Sequence, residues 1–124
     1  MEGPPPIVAV VEDDASMLRS IQRLLTVEGL AVEAYASAEA FLDRKSEAGI
    51  GCLVIDIQLP RMSGIELQQR LAATRCAASI IFMTALEEEA LRQVAAQLGC
   101  VTCLRKPFQP EALVAAIADA LGGR

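Results

Sequence analysis

Short apolar runs alternate along the chain with segments whose apolar residues recur every three or four positions. A continuous apolar run reads as a strand buried on both faces, and the wider spacing reads as one stripe of a helix. Residues 7–11 form the first run. Leu18, Ile21, Leu24 and Leu25 then share a stripe that Gly29 ends. Residues 31–35 form the second run, and Ser37 stands as N-cap of a helix carrying Phe41 and Leu42. Gly49 and Gly51 punctuate the chain before the third run, 52–55. A loop with Pro60 and Gly64 leads to a helix carrying Leu67 and Leu71. Residues 79–83 form the fourth run, and Leu91, Val94, Ala95 and Leu98 form the stripe of a fourth helix stopped by Gly99. Residues 101–104 form the fifth run. Pro110, a good first-turn residue, opens a fifth helix with Leu113, Val114, Ile117 and Leu121. Strands alternating with helices predict an α/β domain, a parallel sheet covered on both faces. Residues 1–6, with their proline run, are expected to be a disordered tail. Residues 7–121 are the expected domain, and 122–124 a tail or the start of a linker.

Composition narrows this reading. The 124 residues are enough for one domain with its own core, and 53% hydrophobic content excludes a disordered chain. Aromatics are only 3%, without Trp, so the core is expected to be aliphatic. A net charge of −5 lacks the basic footprint of a nucleic-acid binder, so this domain itself is not expected to grip DNA. No apolar run approaches the ~20 residues that a spanning helix needs. The first six residues lack the basic and apolar regions of a secretory signal. The expected location is cytoplasmic, with no membrane contact.

The cysteines are Cys52, Cys76, Cys100 and Cys103. Cys100 and Cys103 have C-x-x-C spacing but fall in a strand-like run, where residues three apart point to opposite faces. They can then neither pair nor share a metal, and the chain contains no His. The cysteines read as small apolar residues of a reduced protein.

The polar residues converge on one place. Glu12, Asp13 and Asp14 follow the first run, Asp56 the third, Thr84 the fourth and Lys106 the fifth. All stand at the carboxyl ends of strands, the edge where open α/β sheets bind ligands. Clustered carboxylates suit a hard cation such as Mg²⁺. A strand-end carboxylate is a competent nucleophile toward a phosphoryl group, with Lys106 and Thr84 as charge and hydroxyl donors to it. Each residue also has an ordinary reading. The acids can cap the first helix, Asp56 can be a turn residue, and Lys106 a solvated surface lysine. Jointly, those readings require four coincidences on one rim.

Val10-Val11-Glu12-Asp13-Asp14 resembles the acidic opening of response-regulator receiver domains. The segment from Leu53-Val54-Ile55-Asp56 through Pro60-Arg61-Met62-Ser63-Gly64 resembles their phosphorylation segment. Met83-Thr84-Ala85 and Lys106-Pro107-Phe108 resemble their two remaining signatures. Lys106-Pro107-Phe108 and Ser37-Ala38-Glu39-Ala40-Phe41 are most similar to the FixJ-like branch, which usually carries a helix-turn-helix output domain and regulates transcription. The resemblance implies a doubly wound five-stranded parallel sheet, flavodoxin-like, in order 2-1-3-4-5 with five helices. It implies that Asp56 accepts a phosphoryl group from a phosphohistidine on a sensor kinase or phosphotransfer protein. It implies that Asp13 and Asp56 bind Mg²⁺ (or Mn²⁺), Glu12 through water, with the Gln58 backbone carbonyl as a further ligand. Thr84 and Lys106 would hold the phosphoryl group, and a cis Lys106–Pro107 bond would aim the lysine inward. Such a domain catalyses only its own phosphorylation and dephosphorylation and is not otherwise an enzyme. Positions 58 and 86, two past Asp56 and Thr84, flank the phosphoryl group in the family and tune its hydrolysis.

One position departs from the family. The usual Tyr or Phe three residues before the lysine is Cys103 here. In the usual switch that ring swings inward behind the threonine, so a differently built switch is expected. The face of the fourth helix and fifth strand, with Arg92 and Arg105 near Glu87, Glu88 and Glu89, is a candidate surface for self-association on phosphorylation. A solvated charged face is the ordinary reading of the same residues. Two alternatives stand beside the whole assignment. One is a receiver-like binding module that works without phosphorylation. The other is a haloacid-dehalogenase-type phosphohydrolase, which needs a second Asp where this chain has Gln58.

Overall fold

Parallel pairing joins five strands edge to edge in the order β2-β1-β3-β4-β5. They are β1 (Ile7–Val11), β2 (Ala31–Tyr35), β3 (Ile50–Asp56), β4 (Ser79–Thr84) and β5 (Thr102–Arg105). Between or after them run α1 (Ala15–Val27), α2 (Ala38–Leu42), α3 (Gly64–Ala73) and a C-terminal helix (Pro110–Ala120). The computed structural model describes residues 5–44, 46, 48–74, 76–87, 89, 90, 93 and 102–122. The expected stripe of the fourth helix (Leu91, Val94, Ala95, Leu98), its stop Gly99, and Cys100, Glu88 and Arg92 lie outside the described residues.

Alternation along each strand divides the core into two layers. Ala9 and Val11 of β1, Leu53 and Ile55 of β3 and Phe82 of β4 face one side, with Phe41, Leu67 and Leu71 of α2 and α3. Val8 and Val10, Cys52 and Val54, and Ile81 and Met83 face the other, under Ile21 and Leu25 of α1 and Leu113 and Ile117 of the C-terminal helix. The core is mainly aliphatic, but aromatics do enter it. Phe82 is fully buried in β4, and Phe41 meets Tyr35 edge-on at 5.2 Å. Cys52 is fully enclosed in the second layer, and burial pushes its thiol up to about 12. It is an apolar filler there, as expected of a thiol without charge partners.

Helix starts follow local chemistry. The Asp14 and Ser37 side chains accept from the backbone N–H of Met17 and Ala40. Ser63 and Glu66 form a reciprocal capping box at α3, and Pro110 opens the C-terminal helix.

Two glycines differ from their reading as punctuation. Gly51 lies inside β3, which starts at Ile50 rather than at residue 52. A Cβ there would stand 2.7 Å from Pro6 Cβ and 2.8 Å from Leu121 Cδ2, so its bareness lets both flanking segments close over the strand. At Gly64 a Cβ would lie 2.4 Å from the Asp56 carbonyl oxygen and 2.9 Å from Ile57 Cα. Only hydrogen at that Cα lets α3 begin directly against the end of β3, where the Gly64 N–H donates to the Ile57 carbonyl at 3.0 Å. Gly64→Ala is therefore expected to destabilise the fold by about 1–3 kcal/mol, because backbone must yield to the methyl. Urea unfolding midpoints check this; an unchanged midpoint would show that the junction gives way freely.

Candidate functional site

The carboxyl ends of β1, β3, β4 and β5 deliver Glu12, Asp13, Asp56, Thr84 and Lys106 to one rim. Asp56 is the last residue of β3 and Thr84 the last of β4. Both are closed off from water, at 4% and 0% exposure, and Glu12 is at 1%. Buried polar groups need partners, and these have them. The Lys106 ammonium donates to Glu12 Oε1 at 2.6 Å and to Asp56 Oδ2 at 3.0 Å. Glu12 Oε2 accepts the Asp14 N–H at 3.1 Å, and Asp56 Oδ1 accepts the Gln58 N–H at 2.9 Å. Lys106 owes its position to the strand pairing, since its N–H donates to the Thr84 carbonyl at 2.6 Å. The Lys106–Pro107 bond is cis.

Electrostatics fit a centre short of positive charge. Burial raises the Glu12 carboxyl above the ordinary range, despite the opposing hydrogen bonds from Lys106 and the Asp14 N–H. Burial lowers the Lys106 ammonium, but its hydrogen bonds to Glu12 and Asp56 outweigh that, and it lies above the usual lysine value. Ligand oxygens of Glu12, Asp13 and Asp56 all lie within 4.8 Å of one another, and Asp13 is exposed. Three carboxylates face one ammonium, so the group can take a further hard cation.

The second half of the rim is the turn after β4. The Gln58 side-chain oxygen accepts from the Ala85 N–H at 3.2 Å and from the Thr84 hydroxyl at 3.5 Å. The Leu86 N–H donates to Thr84 Oγ1 at 3.0 Å. The Leu86 side chain packs against the α2/α3 core layer, so its backbone is what meets the site.

A family model described as the response regulator receiver domain matches residues 8–118. The chain belongs to the response regulator receiver domain family. The receiver is 38% identical over 115 residues to the transcriptional regulatory protein FixJ of Azorhizobium caulinodans, covering 93% of this chain and 54% of that protein. It is 33% identical to the response regulator protein TmoT of Ectopseudomonas mendocina, over 93% of this chain and 52% of the relative. The chain thus spans about half the length of the curated relatives it matches. A solved response regulator receiver protein from Burkholderia phymatum superposes with a TM-score of 0.82 at 38% identity, covering 96% of this chain and 97% of that one. The receiver is therefore a two-component signalling domain, and nothing found favours the binding-module or phosphohydrolase alternatives.

Every residue singled out in the sequence (Glu12, Asp13, Asp56, Gln58, Thr84 and Lys106) reaches this rim. Position 58 reads from the sequence as flanking the phosphoryl group and Arg105 as part of a charged face, but the bonds of the Gln58 side-chain oxygen to Thr84 and Ala85, and that of the Arg105 Nε–H to the Leu86 carbonyl at 3.0 Å, were not expected. The signal for Arg105 was its spacing of two from Cys103, which puts both on one face of β5. The crowding of carboxylates is itself testable. Asp13→Asn is expected to raise metal-free stability by about 0.5–1 kcal/mol through relief of repulsion. It is also expected to diminish the stabilisation that millimolar MgCl₂ gives the wild type. Thermal melts with and without MgCl₂ check both arms; equal magnesium shifts in the two proteins would remove Asp13 from the cation site.

Proposed function

We propose that this receiver, residues 7–121, accepts a phosphoryl group on Asp56 from a phosphohistidine of a sensor kinase or phosphotransfer protein. The supporting observation is the nearly enclosed Asp56 carboxylate with the Lys106 ammonium 3.0 Å from it, on the rim where Thr84 ends β4. In the reaction an Asp56 oxygen attacks phosphorus. The P–N bond to the donor imidazole breaks, its electron pair leaves with the nitrogen, and an acyl phosphate forms. Lys106 turns its charge from the carboxylates to the phosphoryl oxygens, and the Thr84 hydroxyl and Ala85 N–H donate to them. A bound Mg²⁺ (or Mn²⁺), held by Asp13, Asp56, the Gln58 carbonyl and, through water, Glu12, would neutralise charge on the phosphoryl group. Hard carboxylate oxygens within 4.8 Å of one another suit such an ion. The chain acts only on its own phosphorylation state. Among the described residues no helix is long and apolar enough to cross a membrane. The proposed location is cytoplasmic.

The wider role follows from the relatives. Transcription regulation is named for FixJ of Azorhizobium caulinodans, and this receiver's control of a transcriptional output domain is the corresponding proposal. Self-association through β5 and the segment before it is proposed as the phosphorylation-dependent step, with no DNA contact by the receiver itself. Among the charged residues singled out for that face, Glu87, Glu89 and Arg105 are exposed.

Incubation with acetyl phosphate and Mg²⁺, followed by peptide mass spectrometry, is expected to show a phosphoryl adduct on Asp56. Asp56→Asn, or omission of metal, is expected to abolish it; an adduct retained in the variant would move the acceptor elsewhere. Gln58 generates a second expectation. Its side-chain oxygen occupies the donors that the phosphoryl group needs, each bond being worth about 0.5–1.5 kcal/mol. Gln58→Ala is expected to speed phosphorylation by up to roughly tenfold. An unchanged or slower rate would show that Gln58 does not hold the donors back.

A further inference from the structure

We propose that Arg105 is a positioning residue for the phosphoryl-binding turn, and that it carries the state of Asp56 to the outer face of β5 in place of the aromatic ring that position 103 lacks. The inference rests on Asp56 being the phosphoacceptor.

The geometry starts from the register of β4 and β5. Phe82 is paired with Cys103, and Thr84 with Arg105. Directly paired residues project to the same face of a sheet, so Cys103 and Arg105 both lie on the Phe82 and Thr84 side. Cys103 is half-buried against the α2/α3 core layer beside Phe82. Its side chain has no ring to swing toward Thr84. The arginine two residues on reaches the turn after β4: its Nε–H donates to the Leu86 carbonyl at 3.0 Å, and its Nη2 donates to Glu87 Oε1 at 3.2 Å.

These contacts complete a connected series. The Thr84 hydroxyl donates to Gln58, Thr84 Oγ1 accepts the Leu86 N–H, and the Leu86 carbonyl accepts Arg105. The two backbone groups of Leu86 therefore link a fully buried threonine to an exposed guanidinium. The hydroxyl has one proton, and its present bond to Gln58 is long at 3.5 Å. A phosphoryl oxygen on Asp56 is a charged and stronger acceptor, so the hydroxyl turns to it. Movement of Oγ1 draws the Leu86 N–H after it and reorients the 85–87 turn. The Leu86 carbonyl moves with the turn, and the guanidinium follows or loses that bond. The ion pair with Glu87 is not what transmits this, since Glu87 is 88% exposed and such pairs contribute little. The Nε–H to carbonyl bond is the specific element, because the planar fork fixes its direction.

The test uses the full chain, ¹⁵N-labelled, with acetyl phosphate and Mg²⁺, and mass spectrometry of the same sample gives the phosphorylated fraction. In the wild type the Arg105 Nε–H resonance and the Thr102 and Leu104 amides are expected to shift with that fraction. In Arg105→Ala, scaled to its own phosphorylated fraction, the β5 amide response is expected to fall by at least half. Glu87→Gln is expected to keep it. Arg105 is an exposed side chain, so folded variants are expected, and unphosphorylated spectra supply each baseline. A purely structural role would change the baselines but not the phosphorylation-dependent difference. A phosphorylated wild type whose Arg105 Nε–H stays still, or an Arg105→Ala variant with the full β5 response, overturns the proposal. Absence of any Asp56 adduct in the wild type overturns instead the phosphoacceptor reading on which it rests.

Discussion

The Lys106 ammonium stands between two carboxylates that are almost sealed from water, and the polar rim is organised around that contact. Glu12 and Asp56 come from different strands, and their charges would repel without a cation between them. Removing that one cation is far more damaging than replacing the whole charged group by apolar residues, because uncompensated buried charge remains. Parallel strands end together at one edge, so a lysine just past β5 can serve acids at the ends of β1 and β3. The lysine is set by a backbone bond to Thr84, which ties the charge centre to the β4 turn.

Much of this was legible from residues alone. Apolar runs located all five strands within about two residues, because strands buried on both faces leave an uninterrupted signal. Asp14, Ser37 and Pro110 announced helix starts through capping chemistry that depends only on neighbours. Five of the six rim residues were legible because each follows an apolar run, and the topology then brings those ends together; Gln58 was legible only through the family resemblance. What escaped depends on contacts across the fold. Gly51 read as a break, yet it is a strand residue bared for Pro6 and Leu121. Glu12 read as a water-mediated ligand, and its tight bond to Lys106, distant in sequence, had no local trace. Arg105 read as part of a charged face, for self-association or simply solvated, because nothing nearby in sequence points to the Leu86 carbonyl.

The two-layer core gives the rim its setting. The α2/α3 layer holds Phe82 and meets Leu86 and Cys103, so residues around the β4 turn lean on that layer. Phe108, just past the cis peptide, packs against the other layer beside the C-terminal helix. The charge centre therefore lies at the seam where the two layers reach the sheet edge.

The two oxygens of Asp56 have different partners, the Gln58 N–H on Oδ1 and the Lys106 ammonium on Oδ2. A carboxylate gripped this way cannot spin about its terminal bond, so its lone pairs keep fixed directions before any reactant arrives. In the proposed phosphoryl transfer, part of the orientational entropy of the encounter would thus be surrendered during folding instead of at the moment of reaction. The same grip sets a limit on length. One more methylene would push the carboxylate past both partners at once, so an acid in general is not enough at this strand end. Aspartate has the length that meets both partners at the rim.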